Sequence, residues 1–322
     1  MRAVQIVSLD GPSAVRVSDV DDATATDDQI LVEVHAAGVS FPEVLQSRGL
    51  YQHQPPLPFV PGSEVAGVVR LAPKGAEVRA GDRVVALPIV GGFAELAVAS
   101  VGMVFPLPDR VSFAAGAALP LNYLTAHFAL ARRGRLARGE TVLVHGAAGG
   151  VGTASIQVAK AWRARVIAVC STPARAAVAR AAGADEAVLV DGFRDSVAEL
   201  TGGRGADIVI DPVGGDRFTD SLRSLAPEGR LLVIGFAGGE IPTVRVNRLL
   251  LNNIEVTGVG WGAFALARPG FVADQWAALV PHVESGALDP PLGTAYPLEH
   301  AGDALAELDE RRAVGKVTLT VR

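Results

Sequence analysis

The amino-acid sequence predicts an α/β protein in which a doubly wound parallel sheet is joined to a barrel-like unit of short strands. One observation is the length, because 322 residues exceed the size at which a single hydrophobic core usually stops growing, so two domains are expected. A second is the composition, since 49% hydrophobic and 20% charged residues suit buried cores and not a disordered chain. The third is a change of pattern near residue 122, from short strands with turns to strands that alternate with helices.

The strand-rich pattern occupies residues 1–121. Segments 30–38 and 64–72, ILVEVHAAG and EVAGVVRLA, alternate in polarity or consist of β-branched residues, and a Pro-rich segment at 51–62 separates them. Further short strands are indicated by GDRVVALP and GFAELAVA. Because Gly and Pro punctuate short strands throughout this part, it is predicted to form a barrel-like unit.

The pattern of the second domain begins at Asn122 with a helical segment and continues with TVLVHG at 141–146, an apolar strand of the kind that is buried on both faces. Further strand-like segments follow it at 165–171, 186–190, 206–213, 230–235 and 254–260. Ala-rich segments with helical spacing separate most of them. Strands that alternate with helices predict βαβ units and a parallel sheet with right-handed crossovers.

The remainder of the chain indicates more helix and one last strand. A helix-like stretch at 275–283 is followed by PLEHAGDALAELDERRAVGKVTLTV, which reads as a helix and then a strand. We expect this tail to return to the first domain. The predicted barrel-like domain therefore comprises residues 1–121 and 264–322, and the predicted sheet domain comprises residues 122–263.

The segment HGAAGGVGTASIQVAK, residues 145–160, lies between an apolar strand and an amphipathic helix, which is the context of a dinucleotide-binding turn. The first glycine permits a tight exit from the strand, the middle pair lets the backbone approach a pyrophosphate, and the last allows helix and sheet to pack closely. The start of the helix adds free N–H groups and the positive end of a dipole. The predicted nucleotide-binding positions in this turn are Gly146, Gly149, Gly150, Val151 and Gly152.

The residues after the next strand distinguish between the two nicotinamide dinucleotides. An NAD site usually has Asp or Glu about 20 residues after the glycines, where it binds the ribose 2′-hydroxyl. Here the strand is followed by Ser171, Thr172 and Arg175, with no carboxylate to repel a 2′-phosphate. A guanidinium would bind that phosphate by a charge-assisted hydrogen bond, so NADPH is the expected cofactor. Alternatively, Thr172 caps the next helix ahead of Pro173, and Arg175 is solvated.

The charge and the cysteine content exclude several classes of function. A net charge of -5 and a pI near 5.7 provide no basic surface for nucleic acid or an anionic membrane. Cys170 is the one cysteine, which excludes an intramolecular disulfide and a zinc site made of several thiolates. The N-terminal segment lacks the apolar core of a signal peptide, and no apolar run reaches the ~18 residues of a membrane span. A cytoplasmic protein is expected.

Several motifs spread along the chain carry a family resemblance. They are AAGVSFPEVLQSRGLY (36–51), PFVPGSEVAGVV (58–69), GDRVVAL (81–87), HGAAGGVGTASIQVAK (145–160), DPVGGDRF (211–218), GRLLVIGFAGG (229–239) and GKVTL (315–319). On these motifs the sequence resembles the zinc-independent quinone oxidoreductases, a family of the medium-chain dehydrogenase/reductase superfamily. PPLPFVPG, VIGFAGG and LLLNNIEVTGVGWG are most similar to the quinone oxidoreductase-like protein 2 group. The resemblance extends over essentially the whole chain.

The resemblance implies a split GroES-like catalytic domain wrapped around a Rossmann domain, with the active site in the cleft between them. It also implies NADPH as the cofactor and a homodimer, with residues 252–260 near the interface. Zinc-dependent relatives carry Cys and His where this chain has Ser40 and Ser63. Because hydroxyls are poor zinc ligands beside thiolate and imidazole, we expect catalysis without a metal.

The catalytic residues that the resemblance implies are Ser40, Phe41 and Tyr51. Many family members carry Asn at the first position, where it can orient the nicotinamide carboxamide or a quinone oxygen, and serine is shorter. Alternatively, Ser40 bonds its own backbone and Tyr51 is a packing aromatic. Glu64 stands where zinc relatives keep a carboxylate behind the metal, and we expect a structural role for it.

Further cofactor contacts are expected at the ends of the sheet strands, where ligands of such folds bind. The remaining candidate cofactor-binding residues are Thr125, Asp211, Val213, Gly235, Phe236, Trp261 and Lys316. For Thr125, capping or packing is an equal alternative. Trp261 could instead lie at a dimer interface, and Lys316 could either approach the cofactor phosphates or be exposed.

The expected reaction is hydride transfer from NADPH to a quinone, with the proton taken from water. A reductase of enones, alkenals or enoyl thioesters would use the same cleft, and the sequence shows no convincing general acid to favour it. A non-catalytic NADPH-binding sensor is a third alternative, favoured by the presence of Ser40 in place of the usual Asn.

Overall fold

The computed structural model describes Met1–Arg322, with consecutive strands in the N-terminal part and strands that alternate with helices from residue 141 onward. The fifteen strands are β1 (Arg2–Ile6), β2 (Val15–Asp19), β3 (Gln29–Gly38), β4 (Val65–Leu71), β5 (Arg83–Ala86), β6 (Leu96–Ser100), β7 (Val104–Pro106), β8 (Thr141–Val144), β9 (Arg165–Cys170), β10 (Glu186–Leu189), β11 (Ala206–Asp211), β12 (Leu225–Val233), β13 (Glu255–Gly258), β14 (Leu292–Pro297) and β15 (Lys316–Thr320). The eleven α-helices are α1 (Phe41–Ser47), α2 (Phe113–Ala117), α3 (Pro120–His127), α4 (Gly150–Ala161), α5 (Pro173–Ala181), α6 (Phe193–Leu200), α7 (Phe218–Arg223), α8 (Asn247–Asn252), α9 (Trp261–Leu266), α10 (Phe271–Ser285) and α11 (Ala301–Asp309).

The chain divides into two compact units. The first unit consists of Met1–Leu121, Pro269–Val280 and Pro290–Arg322, and the second consists of Asn122–Arg268 and Pro281–Asp289. The boundary near residue 122 lies where the sequence pattern changes. The return to the first unit was expected at residue 264, but it lies at Pro269, and the segment 281–289 belongs to the second unit.

The first unit is built on a seven-stranded sheet in the order β14–β15–β3–β4–β5–β7, with β6 paired to β3 as well. All of its pairs are antiparallel except β14 with β15, which is parallel. Alternate residues of β3, namely Ile30, Val32 and Val34, are completely buried, because a strand turns successive side chains to opposite faces. The pairing of β3 with β15 brings residues near position 40 close to residues near position 316.

The second unit contains a six-stranded sheet in the order β10–β9–β8–β11–β12–β13, and every neighbouring pair is parallel. Numbered within the unit, this order is 3-2-1-4-5-6, the order of doubly wound dinucleotide-binding sheets. Every residue of β8 and β11 is buried, as expected for central strands with helices on both faces. Ligands of such folds bind at the carboxyl ends of these two strands, where the strand order reverses.

The α/β class predicted from the sequence is confirmed, and the structure adds elements that the pattern did not indicate. Strand β14 and helix α8 were not predicted. The helical segment after Asn122 is also more complex than expected, because α3 ends at His127 and a π-helical turn at Phe128–Arg133 continues it. No helix of the structure combines the length and the apolar character that a membrane crossing requires.

Candidate active site and cofactor-binding turn

The glycine turn of the second unit joins β8 to α4. Gly146 has a φ of 58°, a left-handed conformation that glycine adopts without strain, and its carbonyl accepts a hydrogen bond from the Gly149 N–H at 3.0 Å. A Cβ added at Gly152 would lie 2.2 Å from the Gly146 carbonyl oxygen. Helix α4 therefore lies so close to the turn that any residue other than glycine at position 152 would clash with it. This close packing of helix and turn is the one predicted from the sequence.

The first turn of α4 has amide groups that the helix itself cannot satisfy. The N-cap residue is Gly149, which has no side chain to accept from them, and Gly150 and Val151 follow it. Thr153 donates its hydroxyl hydrogen to the Gly149 and Gly150 carbonyls, at 3.1 and 3.2 Å. The unsatisfied N–H groups of the first turn of α4 and the positive end of the helix dipole together form an arrangement that binds phosphate.

His145 anchors the strand from which this turn leaves. It is completely buried, its N–H donates to the Ile210 carbonyl at 3.0 Å, and its Nε2 lies 2.8 Å from the Ser221 hydroxyl. Burial lowers the pKa of His145 to about 3, so the ring is neutral at physiological pH. This histidine has the core role that its apolar surroundings indicate.

The end of β9 lies beside the glycine turn, because β8 and β9 are neighbours in the sheet. Thr172 is the N-cap of α5, and its hydroxyl accepts from the Arg175 N–H at 3.3 Å. Ser171 and Thr172 are exposed, and Arg175 is half-buried. The capping alternative for Thr172 is thus present, and it leaves the Ser171 hydroxyl and the Arg175 guanidinium at the same sheet edge.

The end of β11 carries Asp211, which is completely buried. Its Oδ1 accepts from the N–H groups of Val213 and Gly214, both at 2.9 Å, and its Oδ2 has no partner. Burial raises the pKa of this carboxyl above its ordinary range. Asp211 therefore shapes the turn that presents Val213, which is a positioning role and not the direct cofactor contact expected from the sequence.

The segments that follow β11 and β12 are joined by backbone hydrogen bonds. Gly238 donates to the Val213 carbonyl at 2.8 Å, and the half-exposed ring of Phe236 lies against Gly214, directly after Gly235. Two other sequence candidates of this unit stand on helices. Thr125 is half-buried within α3, and Trp261 begins α9.

The first unit contains a buried cluster of polar side chains that we call the Ser40 cluster. Its members are Ser40, Glu43, Ser63, Glu64 and Lys316. The Ser40 hydroxyl donates to Glu64 Oε1 at 3.1 Å and accepts from Lys316 Nζ at 2.5 Å. Lys316 also forms an ion pair with Glu64, whose other oxygen accepts from the Leu121 N–H at 2.8 Å.

The surroundings of Lys316 differ from both alternatives left open by the sequence, which were an approach to the cofactor phosphates and exposure to solvent. Its side chain is 4% exposed and that of Glu64 is not exposed at all, so it is neither solvated nor extended toward a phosphate. A buried charge is stable only beside an opposite charge and hydrogen-bond partners, and Glu64 and Ser40 provide these. The structural role expected for Glu64 is thus the pairing of a buried ammonium, a partner that sequence reasoning missed.

Glu43 is a second buried carboxyl that sequence reasoning missed. Its Oε2 accepts from the Ser40 N–H at 2.9 Å, and its Oε1 accepts from the N–H of Ser63 at 3.0 Å and from the Ser63 hydroxyl. Burial is the main cause that raises the pKa of Glu43 from 4.5 to about 6. The signal was available, because Ser40 and Glu43 form the S-x-x-E pattern of a helix capping box.

Two aromatic residues accompany this cluster. Phe41 is the first residue of α1 and packs against the core of the first unit. Tyr51 is half-buried just after α1. Burial and the charge of Glu43 both raise the pKa of the Tyr51 hydroxyl. Two residues of the predicted catalytic set therefore interact with Glu43. Ser40 does so through a backbone hydrogen bond, and Tyr51 does so through the charge of the carboxylate.

The Ser40 cluster does not fit a zinc ion. The two serine hydroxyls that stand at the ligand positions of zinc relatives are hydrogen-bonded to carboxylates, and the ammonium of Lys316 contacts Glu64, so it would repel a cation. No group of three or more His, Cys, Asp or Glu side chains in the structure is arranged to hold a metal ion.

Comparison with known proteins identifies the family. Residues 26–109 match the alcohol dehydrogenase GroES-like domain, and residues 150–284 match the domain described as zinc-binding dehydrogenase. The chain is 37% identical over 298 residues to quinone oxidoreductase-like protein 2 of Bos taurus, a match that covers 91% of this chain and 85% of the relative.

Solved structures resemble the whole chain. A probable oxidoreductase from Mycobacterium abscessus is 41% identical, with a TM-score of 0.92 over 100% of this chain and 99% of that one. The quinone oxidoreductase of Thermus thermophilus, whose complex with NADPH is known, is 33% identical with a TM-score of 0.86, and the match covers all of both chains. This chain therefore belongs to the quinone oxidoreductase family of the medium-chain dehydrogenase/reductase superfamily and is an oxidoreductase.

Proposed function

We propose that this protein is an NADPH-dependent reductase that transfers hydride to a quinone without a metal ion. The observation that carries the proposal is the glycine turn between β8 and α4, because it places free amide groups at the reversal point of a doubly wound sheet. The reduced nicotinamide ring supplies the hydride when the nucleotide is bound. The relatives named for quinone reduction support the choice of acceptor.

The residues that bind the nucleotide follow from the strand ends of the second unit. The amides of Gly150, Val151 and Gly152 bind the pyrophosphate, and Gly149, whose N–H donates to the Gly146 carbonyl, lets the backbone come close to it. Ser171 and Arg175 bind the 2′-phosphate beside the cap residue Thr172, a choice supported by the absence of a carboxylate among residues 169–175. Val213, Gly235, Phe236, Thr125 and Trp261 complete the set of nucleotide contacts.

Substrate binding is assigned to the residues around the start of α1. Ser40 directs its hydroxyl at the quinone oxygen or the nicotinamide carboxamide, and Phe41 and Tyr51 provide apolar surface for a flat ring. A quinone accepts hydride readily, so the fixed ammonium of Lys316 behind Ser40 is sufficient charge where zinc relatives use a metal. The alcohol oxidation of zinc relatives is not expected here.

A steady-state survey of NADPH oxidation tests the reaction. The acceptors are 1,4-benzoquinone, a 9,10-quinone, a 2-alkenal and a crotonyl thioester, each assayed with NADPH and with NADH. We expect turnover with the quinones and a preference for NADPH. Turnover of the alkenal or the thioester alone would replace the quinone assignment by enone reduction, and tight NADPH binding without any turnover would indicate a sensor.

We also propose a homodimer that forms through the second unit. Strand β13 is at one end of its sheet, so one of its edges has no partner strand. Four apolar side chains close to it in the sequence are 69% to 76% exposed: Ile241, Val246, Leu250 and Leu251. Apolar residues concentrated in this way are typical of a protein interface. A cytoplasmic location remains a prediction from the sequence.

A further inference from the structure

We propose that Lys316, acting through the hydroxyl of Ser40, supplies the proton that completes quinone reduction. This inference rests on the proposed function and names the proton source that the proposed function leaves open. A hydride adds two electrons and one proton to the quinone, and the quinol needs one further proton on its second oxygen. Direct protonation by water is the expectation from the sequence.

The geometry supports a two-step hydrogen-bonded path. Lys316 Nζ donates to Ser40 Oγ at 2.5 Å, and the same hydroxyl is also a donor, at present to Glu64. The side chains of Lys316 and Glu64 are 4% and 0% exposed, and Ser40 is 6% exposed, so all three groups are buried. Ser40 is the hydroxyl that contacts both, and it stands at the start of α1 beside Phe41. It is therefore the group through which a proton can leave the cluster.

The residue type is informative, because this chain obtains its positive charge almost entirely from arginine. Its three lysines are Lys74, Lys160 and Lys316, among 29 lysines and arginines. Arginine would hold a permanent charge at the buried position, whereas a lysine ammonium can release a proton.

The step conserves atoms and charge. Hydride leaves the nicotinamide C4 for the quinone, which gains two electrons and develops an oxyanion. The Ser40 O–H bond breaks as the quinol O–H bond forms, and a Lys316 N–H bond breaks as the Ser40 O–H bond is restored. Lys316 is left as a neutral amine beside the Glu64 carboxylate, whose charge favours the return of a proton from solvent. The sum is NADPH, one proton and a quinone giving NADP⁺ and a quinol.

The test compares Lys316→Arg, Ser40→Ala and Ser40→Thr with the wild-type protein, and Lys160→Met serves as a control in the other unit. For each, we measure kcat and KM with 1,4-benzoquinone, the solvent isotope effect on kcat in D₂O, and the Kd of NADPH by fluorescence. Melting temperature and NADPH affinity report whether each variant is folded.

We expect a solvent isotope effect of at least 2 in the wild-type protein. Lys316→Arg and Ser40→Ala should each lower kcat at least tenfold, with less than threefold changes in KM and in the Kd of NADPH. Ser40→Thr keeps the hydroxyl and should recover most of the rate, and Lys160→Met should resemble the wild-type protein.

Three outcomes separate the inference from the function on which it rests. Wild-type rates and an unchanged solvent isotope effect in Lys316→Arg would show that the ammonium acts only as a charge, and the inference would be wrong. If Lys316→Arg does not fold, Ser40→Ala decides, because a wild-type rate and isotope effect there would exclude the path. Absence of turnover by the wild-type protein with any quinone would overturn the proposed function, and the inference would fall with it.

Discussion

Single residues determine how charge is held inside the first unit. Glu43, Glu64 and Lys316 are all buried, and when all three are ionised the cluster carries one negative charge more than positive. A buried site with excess negative charge favours protonation of one carboxyl. Glu43 is the carboxyl whose pKa is raised, mainly by burial and also by the charge of Glu64. Folding therefore shifts the titration of Glu43 to higher pH.

The titration of Glu43 predicts a pH dependence of stability. In the unfolded chain this carboxyl loses its proton near 4.5, and in the folded protein it does so at about 6. Between these values the folded state binds more protons, so the free energy of unfolding decreases as the pH rises through this window and levels off above it. The difference corresponds to ~2 kcal/mol. The charged or titratable neighbours of Glu43 are Lys316, Glu64 and Tyr51.

Urea unfolding at pH 4.5 and pH 7 measures this effect. Glu43→Gln keeps a carbonyl acceptor and is neutral at both values, so it serves as the reference for all other titrating groups. We expect the wild-type protein to lose ~2 kcal/mol more than Glu43→Gln between the two pH values. Equal losses in the two proteins would show that folding does not raise the pKa of Glu43.

Arg175 predicts cofactor selectivity at the residue scale. Arg175→Ala should weaken NADPH binding by ~1–3 kcal/mol, the contribution of a hydrogen bond to a charged group, and leave NADH binding nearly unchanged. Fluorescence titration of both nucleotides measures this. Arg180 lies on the same helix and donates to the Ala187 carbonyl at 3.0 Å, so Arg180→Ala is the matched control. Equal losses for the two nucleotides in Arg175→Ala would exclude a 2′-phosphate contact.

At the scale of elements, the contact between α4 and the end of β8 depends on one missing side chain. In Gly152→Ala the new Cβ would lie 2.2 Å from the Gly146 carbonyl oxygen, a backbone atom that cannot move aside without displacing the turn. We expect the free energy of unfolding to fall by ~1–3 kcal/mol, as for other overpacked sites, and NADPH affinity to fall with it.

The control for this prediction is Gly102→Ala in the first unit, where an added Cβ meets no atom within 4 Å. Chemical denaturation and nucleotide titration of both variants provide the comparison. An unaltered NADPH Kd in Gly152→Ala would mean that the turn does not hold the pyrophosphate.

The elements also show how far the sequence could be interpreted. The glycine turn was predictable because its strand, its glycines and its helix are contiguous, so the local pattern contains the whole motif. The position of Lys316 was not predictable, since its partners Ser40 and Glu64 are 276 and 252 residues away. The pairing of β3 with both β15 and β4 brings them together. The role of Glu43 was partly predictable, because a capping-box pattern indicates its hydrogen bond to Ser40 but not its burial.

At the scale of the whole molecule, the exposed apolar residues of the second unit predict association. Replacing Leu250 and Leu251 together by Asp would place two charges on the surface of α8, where the native side chains are 76% and 73% exposed. Because charges in the core of an apolar interface are strongly unfavourable, we expect the double variant to be monomeric and the wild-type protein to be dimeric.

Light scattering coupled to size-exclusion chromatography measures this directly. Leu71→Asp is the control, because Leu71 is 54% exposed at the end of β4 in the first unit. A monomeric wild-type protein would exclude the dimer. A dimer that persists in the double variant would place the interface elsewhere.

The long separation between Glu64 and Lys316 has a consequence for biosynthesis. A ribosome makes the acidic partner first and must add 252 more residues before the basic partner exists. Until then the nascent first unit would have to desolvate a carboxylate with no counter-ion, which is strongly unfavourable. The second unit takes its six parallel strands from one uninterrupted stretch, and its buried Arg230 follows its ion-pair partner Glu140 by only 90 residues. It is therefore free to fold co-translationally while the first unit stays open, so the proton-donating site is assembled last.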